Sequence, residues 1–215
     1  MTNVLVLGAT GRIAQQAEPM LLDEGGVNLT LMLRNPNKLN LTSEQQKRAN
    51  IIVGDVLDQA TLTDAMQGVD IVYANLAGDV IEMAKLIEQT MRTVGGVKRI
   101  VWISTLGIYD EVPGNFGKWN NETLGDYLTH YAEAAKVFED SDLDYTIIRP
   151  AWLTDKDEVD YEVTGRTEAF KGGTEVSRKS IAAVVTAIVQ NPQKYERASI
   201  GVNKPNTDGD KPAFM

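Results

Sequence analysis

The segment TNVLVLGATGRIAQQ, residues 2–16, places two glycines three positions apart, between an apolar run and a helical pattern. Gly8 permits a tight turn, and Gly11 lets backbone N–H groups approach a pyrophosphate at the positive end of the following helix. Ala14 stands where a third small residue packs the helix against the strand. This context predicts that Gly8, Thr10, Gly11 and Ile13 hold a dinucleotide. The alternative is a turn that uses glycine for steric reasons alone.

An arginine follows the second apolar run, where the sequence reads LMLRNPNKL. An acid at this place accepts the ribose 2′-hydroxyl of NAD, but here the position belongs to Arg34 and no acid is near. A guanidinium pairs instead with the 2′-phosphate of NADP, and Arg12 beside the glycine loop is the expected second half of a phosphate clamp. The sequence therefore favours NADP over NAD, the alternative being two surface arginines.

Two further turns follow the third and fourth apolar runs. The turn GDV contains Asp55 and Val56, and its aspartate is placed to accept the adenine amino group. The turn NLAG begins with Asn75, Leu76 and Ala77, which are placed to line a ribose of the cofactor. Each turn alone is also an ordinary use of asparagine, aspartate and glycine. Their order after successive strands is what indicates one pocket.

Together these segments resemble the atypical short-chain dehydrogenase/reductase family, in its NAD(P)H-binding, NmrA-like branch. The resemblance spans residues 3 to about 201 and rests on GATGRIA, the arginine after the second strand, GDV, NLAG, VWIS, DYTIIRPAWL and GTEVSRKSIAAVV. It implies a Rossmann-like domain in which a serine, a tyrosine and a lysine handle the proton that accompanies hydride transfer. By position, it implies that Ser104 orients the substrate and that Lys136 holds the nicotinamide ribose.

The family's tyrosine stands four residues before its lysine, which places both side chains on one helix face. In HYAEAAK this position is Ala132, whereas Tyr131 precedes Lys136 by five residues and points about 140° away on a regular helix. Tyr131 is the catalytic candidate beside that position, the alternative being a packing role. His130 and Tyr109 are further candidates, which only their places in the sequence recommend.

Two functions agree with these residues. The first is an NADP(H)-dependent oxidoreductase that reduces a flavin, a quinone or a small carbonyl by direct hydride transfer. The displaced position of the tyrosine matters less for such an acceptor, because it takes the hydride directly from the nicotinamide. The second is a non-catalytic NADP(H)-sensing regulatory protein, because the NmrA-like branch includes such members. A sugar epimerase or dehydratase is a third alternative, but those relatives add a sizeable C-terminal domain and only 65 residues follow Pro150.

Short apolar runs alternate with longer amphipathic patterns, which is typical of βαβ units. The alternation predicts an α/β fold, a Rossmann-like doubly wound parallel sheet in a single domain. Residues 1–202 form the NAD(P)-binding domain, and residues 203–215 form a loosely held C-terminal tail. The segments 107–123 and 152–174 are predicted to be irregular substrate-side loops. The predicted strands are Asn3–Leu7, Asn28–Leu33, Asn50–Val53, Ile71–Tyr73, Arg99–Ile103 and Tyr145–Ile148, and the predicted helices are Arg12–Asp23, Ala60–Met66, Val80–Val94, Leu124–Glu139 and Ser177–Gln190.

The composition excludes several classes of site and partner. The chain has 30 acidic and 21 basic residues, and its net charge of −9 argues against nucleic-acid binding. It has no cysteine and one histidine, so thiolate chemistry and metal sites built from several imidazoles are excluded. Neither a basic leader nor a run of about 20 apolar residues is present, so we expect a cytoplasmic protein. The expected partner is a small-molecule substrate, and a homodimer or a regulatory protein partner is compatible with the sequence.

Overall fold

The computed structural model describes residues 1–215. It contains ten strands: β1 (Thr2–Leu7), β2 (Val27–Leu33), β3 (Ala49–Val53), β4 (Ile71–Ala74), β5 (Arg99–Ile103), β6 (Asp144–Pro150), β7 (Trp152–Thr154), β8 (Glu162–Gly165), β9 (Glu175–Ser177) and β10 (Ala198–Asn203). Eight of them form one sheet in the order β3-β2-β1-β4-β5-β6-β10-β8. The other two, β7 and β9, pair in parallel as a small second sheet.

Seven neighbouring strands of the large sheet run parallel, and only β8 pairs antiparallel, with β10. The chain first adds strands on one side of β1 and then on the other, which makes the sheet doubly wound. All residues of β4 and β5 are buried, as expected for strands that helices cover on both faces. The predicted Rossmann-like parallel sheet is therefore confirmed.

Seven helices cover the sheet: α1 (Ala14–Glu24), α2 (Ser43–Lys47), α3 (Gln59–Ala65), α4 (Val80–Val94), α5 (Gly114–Leu124), α6 (Asp126–Glu139) and α7 (Arg178–Gln190). The helices α1 and α7 pack together on one face, and α3, α4 and α6 pack on the other. Alternate residues of β1 supply the two cores, with Val4 and Val6 on the first face and Leu5 and Leu7 on the second. No helix combines the length and apolarity of a membrane span.

Two segments that are predicted to be irregular contain regular structure. Residues 107–123 hold most of α5, which follows Pro113 and buries Phe116 and Asn120, one turn apart. Its sequence, GNFGKWNNETL, has little intrinsic helix propensity, so tertiary packing decides its conformation. Residues 152–174 contain β7 and β8. The prediction of two irregular loops is wrong, although both segments do follow the carboxyl ends of strands.

The segment 203–215 is fastened to the domain at several points. Asn203 belongs to β10, and the Lys204 backbone N–H donates to the Glu175 carbonyl oxygen at 2.8 Å. Thr174 donates twice to the Thr207 carbonyl oxygen, from its N–H at 3.2 Å and from its hydroxyl at 2.6 Å. The segment is therefore held more firmly than the sequence predicts, because its partners lie on a distant part of the chain.

Candidate functional site

Gly8 and Gly11 occupy positions where no side chain fits. Gly8 has a φ of +79°, and a Cβ atom there would lie 2.3 Å from the Asn75 carbonyl oxygen. A Cβ atom at Gly11 would lie 2.1 Å from the Asn75 side-chain nitrogen. The turn after β1 therefore packs directly on the turn after β4. The N–H groups of Gly8 and Gly11 donate to the carbonyl oxygens of Met32 at 3.2 Å and Gly8 at 2.8 Å, so the two glycines serve this turn by their small size and not by free N–H groups.

The helix α1 begins directly behind this turn. Its N-cap residue, Ile13, makes no capping hydrogen bond, and its first turn contains no acidic residue. The chain itself does not neutralise the positive end of the helix, and this arrangement suits a phosphate group. Gln15 holds the turn in place, since its Nε2 donates to the carbonyl oxygens of Thr10 at 2.9 Å and Lys38 at 3.0 Å.

A cavity of about 180 Å³ lies between this turn and the ends of β2, β3 and β4, and we call it the glycine-loop cavity. Four successive turns of the chain contribute to its walls. Nine of the predicted cofactor residues line it, namely Gly8, Thr10, Gly11, Arg34, Asp55, Val56, Asn75, Leu76 and Ala77. Ile13 does not, because its side chain is buried in the core below the turn.

The two arginines predicted to form a clamp lie apart. Arg34 lines the glycine-loop cavity, and its Nη1 is 3.8 Å from Asp55 Oδ2, with both side chains exposed. Arg12 points to the other side of the glycine loop and forms an ion pair with Asp155. The two arginines therefore do not form a clamp in this structure, where Arg12 pairs with Asp155, and the clamp around a bound 2′-phosphate stays a prediction.

A second cavity, of about 390 Å³, lies at the carboxyl ends of β5 and β6, and we call it the serine cavity. Ser104 lines it, and the Ser104 backbone N–H donates to the Ile148 carbonyl oxygen at 2.7 Å. The Ser104 side chain is buried, yet its hydroxyl has no hydrogen-bond partner in the protein. Since a buried unpaired hydroxyl costs free energy, it is the group in this cavity best placed to bind a polar atom of a ligand.

The two cavities are neighbours at one edge of the sheet. Ala74 lies opposite Trp102 in the pairing of β4 and β5. Asn75 of the glycine-loop cavity and Ser104 of the serine cavity therefore leave the sheet from adjacent strands. Ligands of doubly wound sheets bind at this edge, where the strand order reverses.

The helix α5 and the start of β7 form one wall of the serine cavity. Asn120 donates from Nδ2 to the Leu106 carbonyl oxygen at 3.3 Å and accepts from Trp152 Nε1 at 2.9 Å. The Trp152 ring packs on Trp119, with 4.8 Å between ring centroids. Asn120 thus fixes an aromatic ring in the wall, and the sequence prediction missed it because α5 was not predicted as a helix.

Tyr131 belongs to the core and not to the serine cavity. It is 4 % exposed, and its hydroxyl donates to the Leu76 carbonyl oxygen at 2.9 Å. Burial raises the pKa of Tyr131 above its ordinary value. In the structure the Tyr131 hydroxyl holds the Leu76 turn of the glycine-loop cavity, and a catalytic role for Tyr131 stays a prediction.

Lys136 faces solvent in the last turn of α6. Its side chain is 68 % exposed, and its Nζ lies 2.7 Å from Asp140 Oδ2. The helix α6 leads from the carboxyl edge of the sheet back to the start of β6, so its last turn lies at the opposite edge. The prediction that Lys136 binds the cofactor is wrong for this reason.

Tyr127 lines the serine cavity together with Ser104. It lies in the first turn of α6, four residues before Tyr131, and the two rings pack with 4.4 Å between centroids. The family's spacing of four residues therefore joins Tyr127 to Tyr131, and Tyr131 occupies the place of the lysine. The spacing of four residues between Tyr127 and Tyr131 can be read from the sequence. It was missed because the family's lysine was matched to Lys136.

The remaining two catalytic candidates, Tyr109 and His130, lie outside both cavities. The Tyr109 hydroxyl donates to Glu139 Oε1 at 2.7 Å and lies 3.1 Å from the Ser199 hydroxyl, and burial raises the pKa of Tyr109. His130 is exposed on α6. Neither lines the serine cavity or the glycine-loop cavity.

A buried ion pair holds the loop that follows Ser104. Glu111 accepts from the backbone N–H groups of Gly107 at 3.1 Å and Tyr109 at 3.0 Å. It also pairs with Arg149, whose side chain is 1 % exposed. Removing either charge would leave the other buried and unpaired, so this pair fixes the position of the loop.

Comparison with known proteins places the chain in a family. The profile of the NAD(P)H-binding family matches residues 8–192. A Rossmann-fold NAD(P)-binding family protein from Shigella flexneri is 44% identical, with full coverage of both chains and a TM-score of 0.84. A wide-type short-chain dehydrogenase/reductase from Veillonella parvula, solved in complex with NADP, is 27% identical with a TM-score of 0.91 and covers 99% of both chains. The chain therefore belongs to the NAD(P)H-binding family.

The proteins with similar sequences are named for different activities. The uncharacterized sugar epimerase YhfK of Bacillus subtilis is 27% identical over 212 residues, which are 91% of this chain and 92% of that protein. The chain spans only 34% and 46% of the length of two plant reductases that it also matches. The predicted membership among NAD(P)H-binding, short-chain dehydrogenase/reductase-like proteins is confirmed, and the NmrA-like branch stays a prediction.

Proposed function

We propose that this chain, as a member of the NAD(P)H-binding family, is an NADP(H)-dependent oxidoreductase whose reaction takes place in the serine cavity. The observation that carries the proposal is the Ser104 hydroxyl, which is buried and unpartnered beside the glycine-loop cavity. A reductase uses such a hydroxyl to bind the acceptor oxygen that becomes negative during hydride transfer. A protein that only senses the cofactor would bring no acceptor oxygen to this hydroxyl.

The chain's residues fit a dinucleotide. The turn with Gly8 and Gly11 leaves backbone free at the start of α1, where a pyrophosphate fits. Asp55 and Asn75 line the same cavity, which supports the proposal that they bind the adenine and a ribose. Arg34 supports NADP over NAD, since its exposed guanidinium at this cavity has only a distant partner, at 3.8 Å.

Bound NADPH supplies a hydride to an acceptor. Ser104 donates its hydroxyl to the acceptor oxygen and stabilises the negative charge that develops there. Tyr127 enters the same cavity from α6, and its phenol supplies the proton that completes the reduction of a carbonyl to an alcohol. Trp152 and Leu106 exclude water from the reacting atoms and strengthen these interactions.

The shape of the serine cavity supports a small acceptor. Its volume of about 390 Å³ lies within the range of small-molecule sites, and most of its lining residues are apolar. A quinone, a flavin ring or an aromatic carbonyl would bury its ring against Trp152 and Leu106. The Ser104 hydroxyl would then be the polar group that orients it.

The experiment is a set of NADPH oxidation assays. Purified protein is mixed with NADPH and a panel of quinones, flavins and aromatic aldehydes, and NADPH consumption is followed by absorbance. We expect at least one acceptor to be reduced, and expect Ser104→Ala to slow that reaction while NADPH still binds in calorimetry. Rates no higher than buffer for the whole panel, or an unchanged rate in Ser104→Ala, would contradict the proposal.

One observation favours the non-catalytic NADP(H)-sensing alternative. The lysine that assists the tyrosine in the family's reaction is absent beside Tyr127, because Tyr131 stands there and Lys136 faces solvent. A sensing protein would bind NADP and NADPH with similar affinity, reduce no acceptor, and retain a partner protein in one redox state. Calorimetric titration with both forms, together with the acceptor panel, separates the two functions.

A further inference from the structure

The serine cavity borders a second depression, lined mostly by charged residues, which we call the arginine mouth. The arginine mouth contains Arg12, Asp155, Lys156, Glu175 and Arg178, and its volume is about 550 Å³. Leu153, Arg178 and Phe214 line both spaces. A ligand bound next to Ser104 can therefore extend toward these charged groups without leaving the cleft.

The charges of the arginine mouth do not balance. Three cations face two carboxylates, although the chain as a whole has a net charge of −9. The Glu175 carboxylate is buried and is occupied by Lys156. Asp155 forms an ion pair with both arginines. Its Oδ1 lies 2.8 Å from Arg178 Nη1, and its Oδ2 pairs with Arg12. One guanidinium charge is left without its own counterion.

Arg178 is held in place, whereas its partner is exposed. The Arg178 side chain is 16 % exposed and begins α7, and its Nη1 also donates to the Leu153 carbonyl oxygen at 3.4 Å. The Asp155 side chain is 63 % exposed and lies in a stretch without helix or strand. An anion from a ligand can therefore replace Asp155 at a guanidinium that is already in position.

We infer that the serine cavity takes a ring-containing apolar molecule that carries a carboxylate, and that Arg178 binds this carboxylate as the specificity-determining residue. The ring packs against Trp152, Leu106 and Phe214, which line the apolar part of the cleft. That this molecule is also the hydride acceptor rests on the proposed function. The binding of the carboxylate itself does not.

The experiment compares two probes of the same shape and different charge. Naphthoate and naphthamide, substituted at the same ring position, are titrated by calorimetry into the protein saturated with NADP. A partly buried charge-assisted pair predicts that naphthoate binds about 10- to 100-fold more tightly than naphthamide. Neither probe is an acceptor, so the titration gives a result even if the protein oxidises no NADPH.

Three variants test whether Arg178 causes the preference for naphthoate. Arg178→Gln should remove the preference for naphthoate and leave naphthamide binding unchanged. Lys179→Gln is the matched control, because it removes a neighbouring positive charge that pairs with Asp157 and lines neither space. Asp155→Asn should increase naphthoate affinity, since it frees both arginines. This exposed substitution also keeps the test informative if Arg178→Gln folds poorly.

Several outcomes would overturn the inference. Equal affinity for the two probes, or no binding of either at millimolar concentration, would show that the cleft has no anion preference. A loss of NADP affinity in Arg178→Gln would assign the arginine to the phosphates of the cofactor instead. A clear naphthoate preference without NADPH oxidation by any acceptor would support the anion site and contradict only the oxidoreductase proposal.

Discussion

Three glycines line the glycine-loop cavity, whereas side chains from separate segments line the serine cavity. In the first, Gly8 and Gly11 touch the Asn75 turn so closely that a single added carbon would collide. In the second, Tyr127 comes from α6, Trp152 from β7 and further residues from the start of α7 and the C-terminal segment. We therefore expect the glycine-loop cavity to tolerate few substitutions, whereas single side chains of the serine cavity can be replaced without a backbone collision.

The two cavities also hold their positive charges differently. Arg34 stands exposed at the glycine-loop cavity with a partner 3.8 Å away. Arg178 is largely buried and is fixed by Asp155 at 2.8 Å. An exposed arginine with a distant partner suits a phosphate that arrives with its own charge, and an arginine held in position suits discrimination between ligands. Substitutions in each cavity can separate their roles.

Tyr127→Phe is expected to have the largest effect. Removing a proton donor from the serine cavity should lower kcat for an aromatic aldehyde by about 100-fold or more, with little change in NADP affinity. Steady-state kinetics and calorimetry measure the two quantities. Tyr131→Phe is the matched control. It removes a hydroxyl that donates to Leu76 and should reduce stability by about 1 kcal/mol while leaving most of kcat.

The reverse pattern would break the comparison between the two tyrosines. If Tyr131→Phe abolished turnover and Tyr127→Phe did not, the proton donor would lie on the cofactor side of α6. Tyr127 would then be only a surface residue of the cleft.

Gly8→Ala should lower NADP affinity by about 10- to 100-fold, because the new methyl group meets the Asn75 backbone and the residue has a positive φ. Calorimetric titration with NADP measures the loss, and circular dichroism confirms the fold. Gly201→Ala is the control, since its Cβ atom would have only ordinary contacts, at 3.7 Å or more. Unchanged NADP affinity in Gly8→Ala would contradict the placement of the cofactor at this turn.

Arg34→Ala should weaken NADP binding by about tenfold and leave NAD binding unchanged, since the charge-assisted bond is made only to the 2′-phosphate. The ratio of the two dissociation constants is the measurement. Arg92→Ala removes an exposed arginine that pairs with Glu88 on α4, far from both cavities, and should leave the ratio as it is. An equal loss for NADP and NAD in Arg34→Ala would assign the residue to another part of the cofactor.

Glu18 lies on α1, behind the glycine loop, and should make the free energy of unfolding depend on pH. This is the smallest of the expected effects. The Glu18 carboxyl is fully buried on α1 with no hydrogen-bond partner, and burial raises its pKa from 4.5 to about 8. The folded state therefore keeps a proton that the unfolded state loses. Retention of this proton stabilises the folded state, and the stabilisation is fully present below pH 4.5. It is lost as the pH rises to about 8, by at most about 1.4 kcal/mol for each pH unit.

Chemical denaturation at several pH values measures this slope. Glu18→Gln cannot ionise, so its free energy of unfolding should vary less between pH 5 and pH 8 than that of the parent, as expected when a single titrating group is removed. Identical slopes in the two proteins would show that Glu18 has a partner when the protein is folded.

The sequence predicted the glycine-loop cavity well because its residues follow successive strands. Once the parallel sheet is recognised, the carboxyl edge brings Thr10, Arg34, Asp55 and Asn75 together without any knowledge of side-chain packing. Arg12 was the exception. Its direction depends on Asp155, a residue more than a hundred positions away that no local pattern connects to it.

The serine cavity was predicted less well because distant contacts determine it. Ser104 was predicted because the segment VWIS resembles the family's strand and serine. Tyr127 was missed because Lys136 set the wrong helical register, and Arg178 was missed because its partner Asp155 lies in an irregular segment. The helix α5 forms through burial of Phe116 and Asn120, which outweighs the low helix propensity of its glycines and asparagines.

The central claim is that one NADP molecule joins the two cavities, and a crystal structure of the NADP complex tests it most directly. We expect the 2′-phosphate at Arg34, the pyrophosphate at the turn of Gly8 and Gly11, and the nicotinamide facing the Ser104 and Tyr127 hydroxyls in the serine cavity. A nicotinamide placed outside the serine cavity, with Ser104 still unpartnered, would contradict the claim.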